Sequence, residues 1–144
     1  MSARSFFSKD EKEQILNAIK SAEMNTSGEI RVHIEEHCPG EALDSAAYWF
    51  HKLKMDETEL RNGVLFYLGL KEHIFAIIGD VGINNKVSED FWENIKEYVL
   101  EKFKDGLFVD GLSEGIIMTG EQLKIHFPWQ RDDRNELPDE LSYG

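Results

Sequence analysis

Between Glu29 and Glu35 apolar and polar residues alternate: Ile30, Val32 and Ile34 on one side, Arg31, His33 and Glu35 on the other. A period of two predicts a strand covered on one face. Upstream, from Ser8 to Met24, Ile15, Ala18, Ile19 and Ala22 recur at helical spacing, and Ser8 followed by Glu11 fits a capping box. Asn25-Thr26-Ser27-Gly28 stops that helix, and Pro39-Gly40 ends the strand. A second helix follows from about Glu41 to Leu53, with Leu43, Ala46, Ala47, Phe50 and Leu53 on its stripe.

The middle of the chain changes period. Val64 to Leu70 and Ile74 to Ile78 are continuously apolar, rich in β-branched and aromatic residues, and separated only by Lys71-Glu72-His73. Such runs predict two antiparallel strands covered on both faces. Gly79 to Val87 reads as a loop. Ser88 is the expected N-cap of a third helix carrying Phe91, Trp92, Ile95, Val99 and Phe103, which Asp105-Gly106 ends. A fourth helix runs from about Val109 to Ile125, with Leu112, Ile116 and Leu123 inside, and Phe127-Pro128 ends it. From about residue 131 an acidic tail is expected to be extended. The helix between the first two strands makes a βαβ unit, so those strands run parallel. The expected fold is α/β: a three-layer αβα sandwich around a small mixed sheet of about four strands, built as one domain over residues 1–144.

Charge narrows the partners. Lys and Arg number 16 against 28 Asp and Glu, a net charge of −12. A chain this acidic repels phosphate backbones and anionic lipid, so neither nucleic acid nor a membrane is an expected partner; cations are. One cysteine, Cys38, excludes an internal disulfide and a cysteine-based zinc site. Met1 to Asp10 is polar, without the apolar stretch of a secretory signal, and no apolar run approaches the length of a membrane span. A cytoplasmic location is the expectation.

Three pieces of sequence carry a family resemblance: Thr26-Ser27-Gly28-Glu29-Ile30, Arg61-Asn62-Gly63-Val64-Leu65, and Phe75-Ala76-Ile77-Ile78-Gly79-Asp80. From about Ser8 to Gly120 the chain resembles the TPM domain, a family that includes a thylakoid lumen protein of photosystem II repair and a receptor modulator of nematodes. The resemblance implies the αβα sandwich, divalent-ion binding as in several members, and acid phosphatase activity as in the plant member. The chain departs from the family where Asp80-Val81-Gly82-Ile83-Asn84-Asn85 replaces a Tyr-Gly-Leu-Glu type of loop. It also lacks the signal peptide and the transmembrane or low-complexity tail of most members, and so resembles a stand-alone bacterial-type member.

Topology says where chemistry would gather. Two parallel strands start at the same edge of the sheet, and a third running back ends there, so Ser27–Glu29, Lys54–Asn62 and Gly79–Asp90 converge. They bring Glu29, Asp56, Glu57, Glu59, Asn62, Asp80, Asn84, Asn85, Glu89 and Asp90. Oxygen donors beside glycine turns suit Ca²⁺, which takes six to eight oxygens, or Mg²⁺, which keeps more of its water. Asp80, Glu29, Asp56, Glu57, Asn84 and Asp90 are the candidate metal ligands, for one or two ions, with Asp80 foremost because it follows a buried strand directly. Against this, Glu89 and Asp90 sit where any helix start favours carboxylates, and Asn62-Gly63 is ordinary turn chemistry. No EF-hand spacing, phosphate-binding loop, cysteine phosphatase signature or nucleophile elbow occurs. His33 and His37 beside Glu36 and Cys38 are a weak transition-metal set, better read as polar residues at a strand end. The leading expectation is a regulatory or structural domain binding divalent cations. The alternatives are a metal-assisted phosphatase, and a metal-free domain contacting a protein partner through the acidic tail and Phe127-Pro128-Trp129.

Overall fold

The computed structural model describes residues 2–129 and 140–144. Helix α1 spans Lys9–Glu23 and opens with the expected capping box: Ser8 Oγ accepts from the Glu11 N–H at 3.1 Å, and Glu11 accepts from the Ser8 N–H at 2.8 Å. Strand β1 (Glu29–Glu35) leads through α2 (Ala42–Lys52) to β2 (Gly63–Gly69), which turns back as β3 (Ile74–Gly79). A short helix α3 (Val81–Asn84), then α4 (Asp90–Lys104) and α5 (Phe108–His126), complete the helices, and β4 (Ser142–Tyr143) closes the chain.

The sheet order is β3-β2-β1-β4. β1 pairs parallel to β2 with Glu29 opposite Gly63, and β2 pairs antiparallel to β3 with Val64 opposite Gly79. Even-numbered residues of β1 and β2 (Ile30, Val32, Ile34, Val64, Phe66, Leu68), with Phe75 and Ile77 of β3, pack against Ile15 and Ile19 of α1, Ile95 and Val99 of α4, and Leu112 and Ile116 of α5. On the opposite face Leu65, Tyr67 and Ala76 meet Ala46 and Phe50 of α2. This is the three-layer αβα sandwich around a mixed four-stranded sheet. No helix among the described residues is long and apolar enough to cross a membrane.

Five details differ from the sequence reading, each for a physical reason. β1 is covered on both faces: Arg31 and His33 are buried, and Trp49 of α2 stacks its ring on the His33 imidazole at 4.0 Å. The buried stripe of α2 is rotated accordingly. Ser45, Ala46 and Phe50 are inside and Trp49 is half-buried, while Leu43 and Ala47 face solvent. The indole satisfies its N–H on Glu35 Oε1 at 2.7 Å, so this large side chain packs inward without an orphaned donor. The segment after β3 is not all loop, since Asp80 caps the single turn α3. Ser88 does not cap α4 through its side chain; Glu89 holds the N-cap position, and the Ser88 carbonyl accepts from the Phe91 N–H at 3.1 Å. The expected tail lies partly outside the described residues, and its described end returns to the sheet as β4, parallel to β1.

Candidate functional site

Register brings the three segments of the sequence argument together. The Glu29 N–H points at the Asn62 carbonyl (3.4 Å), the Asp80 N–H donates to the Gly63 carbonyl (3.0 Å), and the Gly82 N–H donates to the Arg61 carbonyl (2.8 Å). The last contact needs a glycine. A Cβ on residue 82 would lie 2.1 Å from the Leu60 carbonyl oxygen and 2.5 Å from that of Arg61. The Asn62 amide reaches Ser27 Oγ at 3.3 Å, tying the β1 entrance to the same edge.

Asp80 stands at the junction and is buried. Its Oδ1 accepts from the Val81 N–H at 2.7 Å and from Arg61 Nη2 at 2.9 Å, and its Oδ2 accepts from Arg61 Nε at 2.6 Å. The bidentate guanidinium is about half exposed, its side chain keeping 47% of its accessible surface, and Arg61 itself adopts a left-handed backbone with φ of 51°. The hydrogen bond to Asp80 and that residue's charge hold the Arg61 guanidinium above its ordinary pKa; Asp56 adds a smaller effect in the same direction. Asp56 Oδ2 accepts from His51 Nδ1 at 2.8 Å, and that hydrogen bond lowers the Asp56 pKa and raises that of His51. The other oxygen of Asp56, Oδ1, is buried and has no partner among the described residues.

The remaining candidates are placed differently. Glu29 is buried at the first position of β1. Glu57 is exposed on the turn Met55–Glu57 beside Asp56. The Asn84 amide is engaged, donating to the Gly79 carbonyl at 2.8 Å and accepting from Trp92 Nε1 at 2.7 Å. Asp90 is exposed in the first turn of α4, where its charge favours the helix N-terminus. No three His, Cys, Asp or Glu side chains among the described residues gather closely enough to hold a metal ion. The sequence reading named Asp80 but not its counter-ion. The signal for Arg61 was its position two residues before a strand whose antiparallel partner ends at Gly79, immediately before Asp80.

The opposite ends of β1 and β2 hold a second polar cluster. Glu35 accepts from the Tyr67 hydroxyl as well as from Trp49. Burial, with hydrogen bonds to Cys38 and Glu35, pushes the Tyr67 pKa upward. Cys38 is buried with its Sγ 3.3 Å from Ser45 Oγ and 3.2 Å from the Gly40 carbonyl, and His37 pairs with Glu72. His33 lies under Trp49 with Nδ1 on Ser142, so His33, His37 and Cys38 have separate partners and form no common ligand set among the described residues.

Comparison with known proteins follows the same lines. Residues 2–122 match the model of the TPM domain. Among solved structures, the BA42 protein from the psychrophilic bacterium Bizionia argentinensis is 46% identical, covers 97% of each chain, and superimposes with a TM-score of 0.90. The N-terminal domain of a P. gingivalis protein has a TM-score of 0.72 at 16% identity, covering 88% of this chain and 84% of its own. The N-terminal domain of the cg2496 protein of Corynebacterium glutamicum has a TM-score of 0.62 at 12% identity, covering 82% and 74%. These last two share the fold. Among curated proteins none matches. The chain belongs to the TPM domain family.

Proposed function

We propose that this TPM domain binds a divalent cation, Ca²⁺ or Mg²⁺, at the convergence of the Lys54–Asn62 and Gly79–Asp90 segments, and that the bound ion serves a regulatory or structural role. The observation that carries this reading is the buried carboxylate of Asp80 at the junction of the two segments, with the buried Oδ1 of Asp56 on one of them unpartnered among the described residues. An acceptor buried without a donor costs free energy that a cation removes. Asp80 and Asp56 would hold the ion, with backbone carbonyls of the two segments and with Glu57 adding charge nearby; Arg61, bidentate on Asp80, would have to release it as the ion enters. A bound divalent ion supplies a cross-link between loops that also meet through the Arg61–Asp80 pair and backbone hydrogen bonds.

Titration with Ca²⁺ and with Mg²⁺, followed amide by amide, tests this. Shifts are expected in both segments, with little change in Val64–Leu68, and Asp80→Asn should remove most of them. No shift at millimolar ion, or an unchanged response in Asp80→Asn, overturns the reading. Phosphomonoester hydrolysis would need a cationic side chain facing the transferred phosphoryl group. Arg61 is bidentate on Asp80 instead, so turnover of a generic phosphomonoester is expected near background. Robust turnover that depends on a divalent ion and is abolished by Asp80→Ala would reverse that assignment.

A further inference from the structure

The end of the sheet away from Asp80 carries a cavity, where β2 hands over to β3 and α4 gives way to α5. The chain reversal at Asp105-Gly106 builds one wall of it. Gly106 takes the left-handed backbone, with φ of 77°; its N–H donates to the Phe103 carbonyl at 3.0 Å, and the Leu107 N–H donates to the Lys102 carbonyl at 3.0 Å. This pair of bonds closes α4 and turns the chain back on itself. Phe108 is thereby set against Phe103, with ring centroids 5.2 Å apart. Phe6, arriving from the N-terminus, stands edge-on to Phe108 at 5.5 Å. Leu70 and Ile74 of the hairpin and Leu100 of α4 complete the apolar wall. All six side chains are half-buried, so they enclose a space without filling it. The cavity measures about 350 Å³, at the lower end of the ~300–1,000 Å³ typical of small-molecule sites.

Its polar lining has one sign. His73 of the hairpin and Lys104 at the end of α4 reach it, and no carboxylate lines it among the described residues. In a chain with 28 Asp and Glu against 16 Lys and Arg, such a lining runs against the field of the whole molecule. The neighbouring acids are placed elsewhere. Glu72 is held by His37 and by the Cys38 N–H, and Asp105 is exposed in the turn and does not line the cavity. Glu101 lies 3.5 Å from Lys104 Nζ, but both side chains are 75% exposed, so that pair is weak and leaves the ammonium free to turn. Lys104 can lay its methylenes along the apolar wall and keep its charge at the mouth.

We propose that this cavity is a binding site for a small amphipathic carboxylate, its apolar body enclosed by Phe6, Phe103 and Phe108 and its charge held at the mouth by Lys104 and His73. Burial of the apolar body supplies the affinity, and the cationic rim sets the orientation. One ammonium and one imidazole match a single negative charge better than the near-dianion of a phosphate ester. The site does not depend on the cation reading, because the Asp80 junction lies at the opposite ends of β2 and β3.

The experiment titrates the full chain with sodium octanoate, followed amide by amide, and with octylammonium, which carries a similar alkyl body and the opposite charge. Octanoate should give saturating shifts in residues 69–74 and 100–108 and leave residues 54–62 unmoved. Octylammonium should bind about tenfold less tightly, although the net charge of −12 favours it. Lys104→Glu alters an exposed side chain, so it should keep the fold and invert that order. Leu70→Trp should fill the cavity and weaken octanoate by about tenfold or more. Absent or non-saturating shifts at millimolar octanoate overturn the proposal. Octylammonium binding wild type as tightly as octanoate overturns it too, as does an unchanged order of the two in Lys104→Glu.

Discussion

Burial keeps His33 neutral. The imidazole is enclosed between the Trp49 and Tyr67 rings, and this desolvation, with Arg31 two residues along the same strand, lowers its pKa from 6.5 to about 4. Between those values the unfolded chain holds more protons than the folded one, so the contribution of His33 is fully present above pH 6.5 and is lost as the pH falls toward 4. A shift of this size amounts to about 3 kcal/mol at its limit. Thermal midpoints measured from pH 7 to pH 4.5 should fall, and should fall less steeply for His33→Gln, which cannot take up the proton. Equal slopes would show that other carboxylates and not His33 set the acid sensitivity. The same residue shows what alternation hides. His33 reads as solvent-facing from its place between Val32 and Ile34, because a sequence pattern records which residues are apolar and not whether a helix elsewhere supplies an aromatic lid. The position of Asp80 at the end of a buried strand was legible from the apolar run before it. Its pairing with Arg61 was not, because it depends on the register of two strands and on Arg61 adopting a left-handed turn.

Helices were legible where their period and caps agreed. Ser8 and Glu11 form both bonds of the capping box, so Ser8→Ala should cost about 1 kcal/mol, read as an earlier denaturant midpoint without a change in slope. α2 was placed but mis-rotated, since Leu43 and Ala47 are apolar enough to suggest a buried stripe while Trp49 with its bonded N–H is the better inward residue. α3 and β4 were missed for a simpler reason: four residues and two residues carry no period. The contact between α1 and α5 is the closest helix crossing the sequence left unannounced. A Cβ on Gly120 would lie 2.5 Å from Ala22 Cβ and 2.6 Å from its Cα. Neither atom can turn away, so Gly120→Ala must force the two helices apart, at a cost of about 1–3 kcal/mol despite the better helix propensity of alanine. A neutral or stabilising outcome in a denaturant titration would show that the helices separate freely.

At the scale of the whole molecule, charge and topology meet. A net charge of −12 repels itself in the compact state, so any added salt should stabilise modestly by screening, wherever its ions go. A built cation site behaves differently, because an ion that binds only the folded chain adds RT ln(1 + [L]/Kd), about 2.7 kcal/mol at a hundredfold excess over Kd. For a chain of this size that corresponds to a rise in thermal midpoint of roughly 5–10 °C. The decisive comparison holds ionic strength constant: millimolar Ca²⁺ against NaCl at the same ionic strength, in wild type and Asp80→Asn. Screening predicts the same small rise for both salts and both proteins. The proposed site predicts a rise with Ca²⁺ in wild type well beyond that with NaCl, reversed by chelator and largely lost in Asp80→Asn, which keeps the shape of the side chain and removes its charge. The response should also begin locally, with the Lys54–Asn62 and Gly79–Asp90 amides gaining protection from hydrogen exchange before the β2 core changes, because those segments meet through few bonds while β2 is buried along its whole length. If Ca²⁺ and NaCl act alike, or if Asp80→Asn gains as much from Ca²⁺ as wild type, the acidity of this chain acts through screening alone and the loops around Asp80 hold no ion.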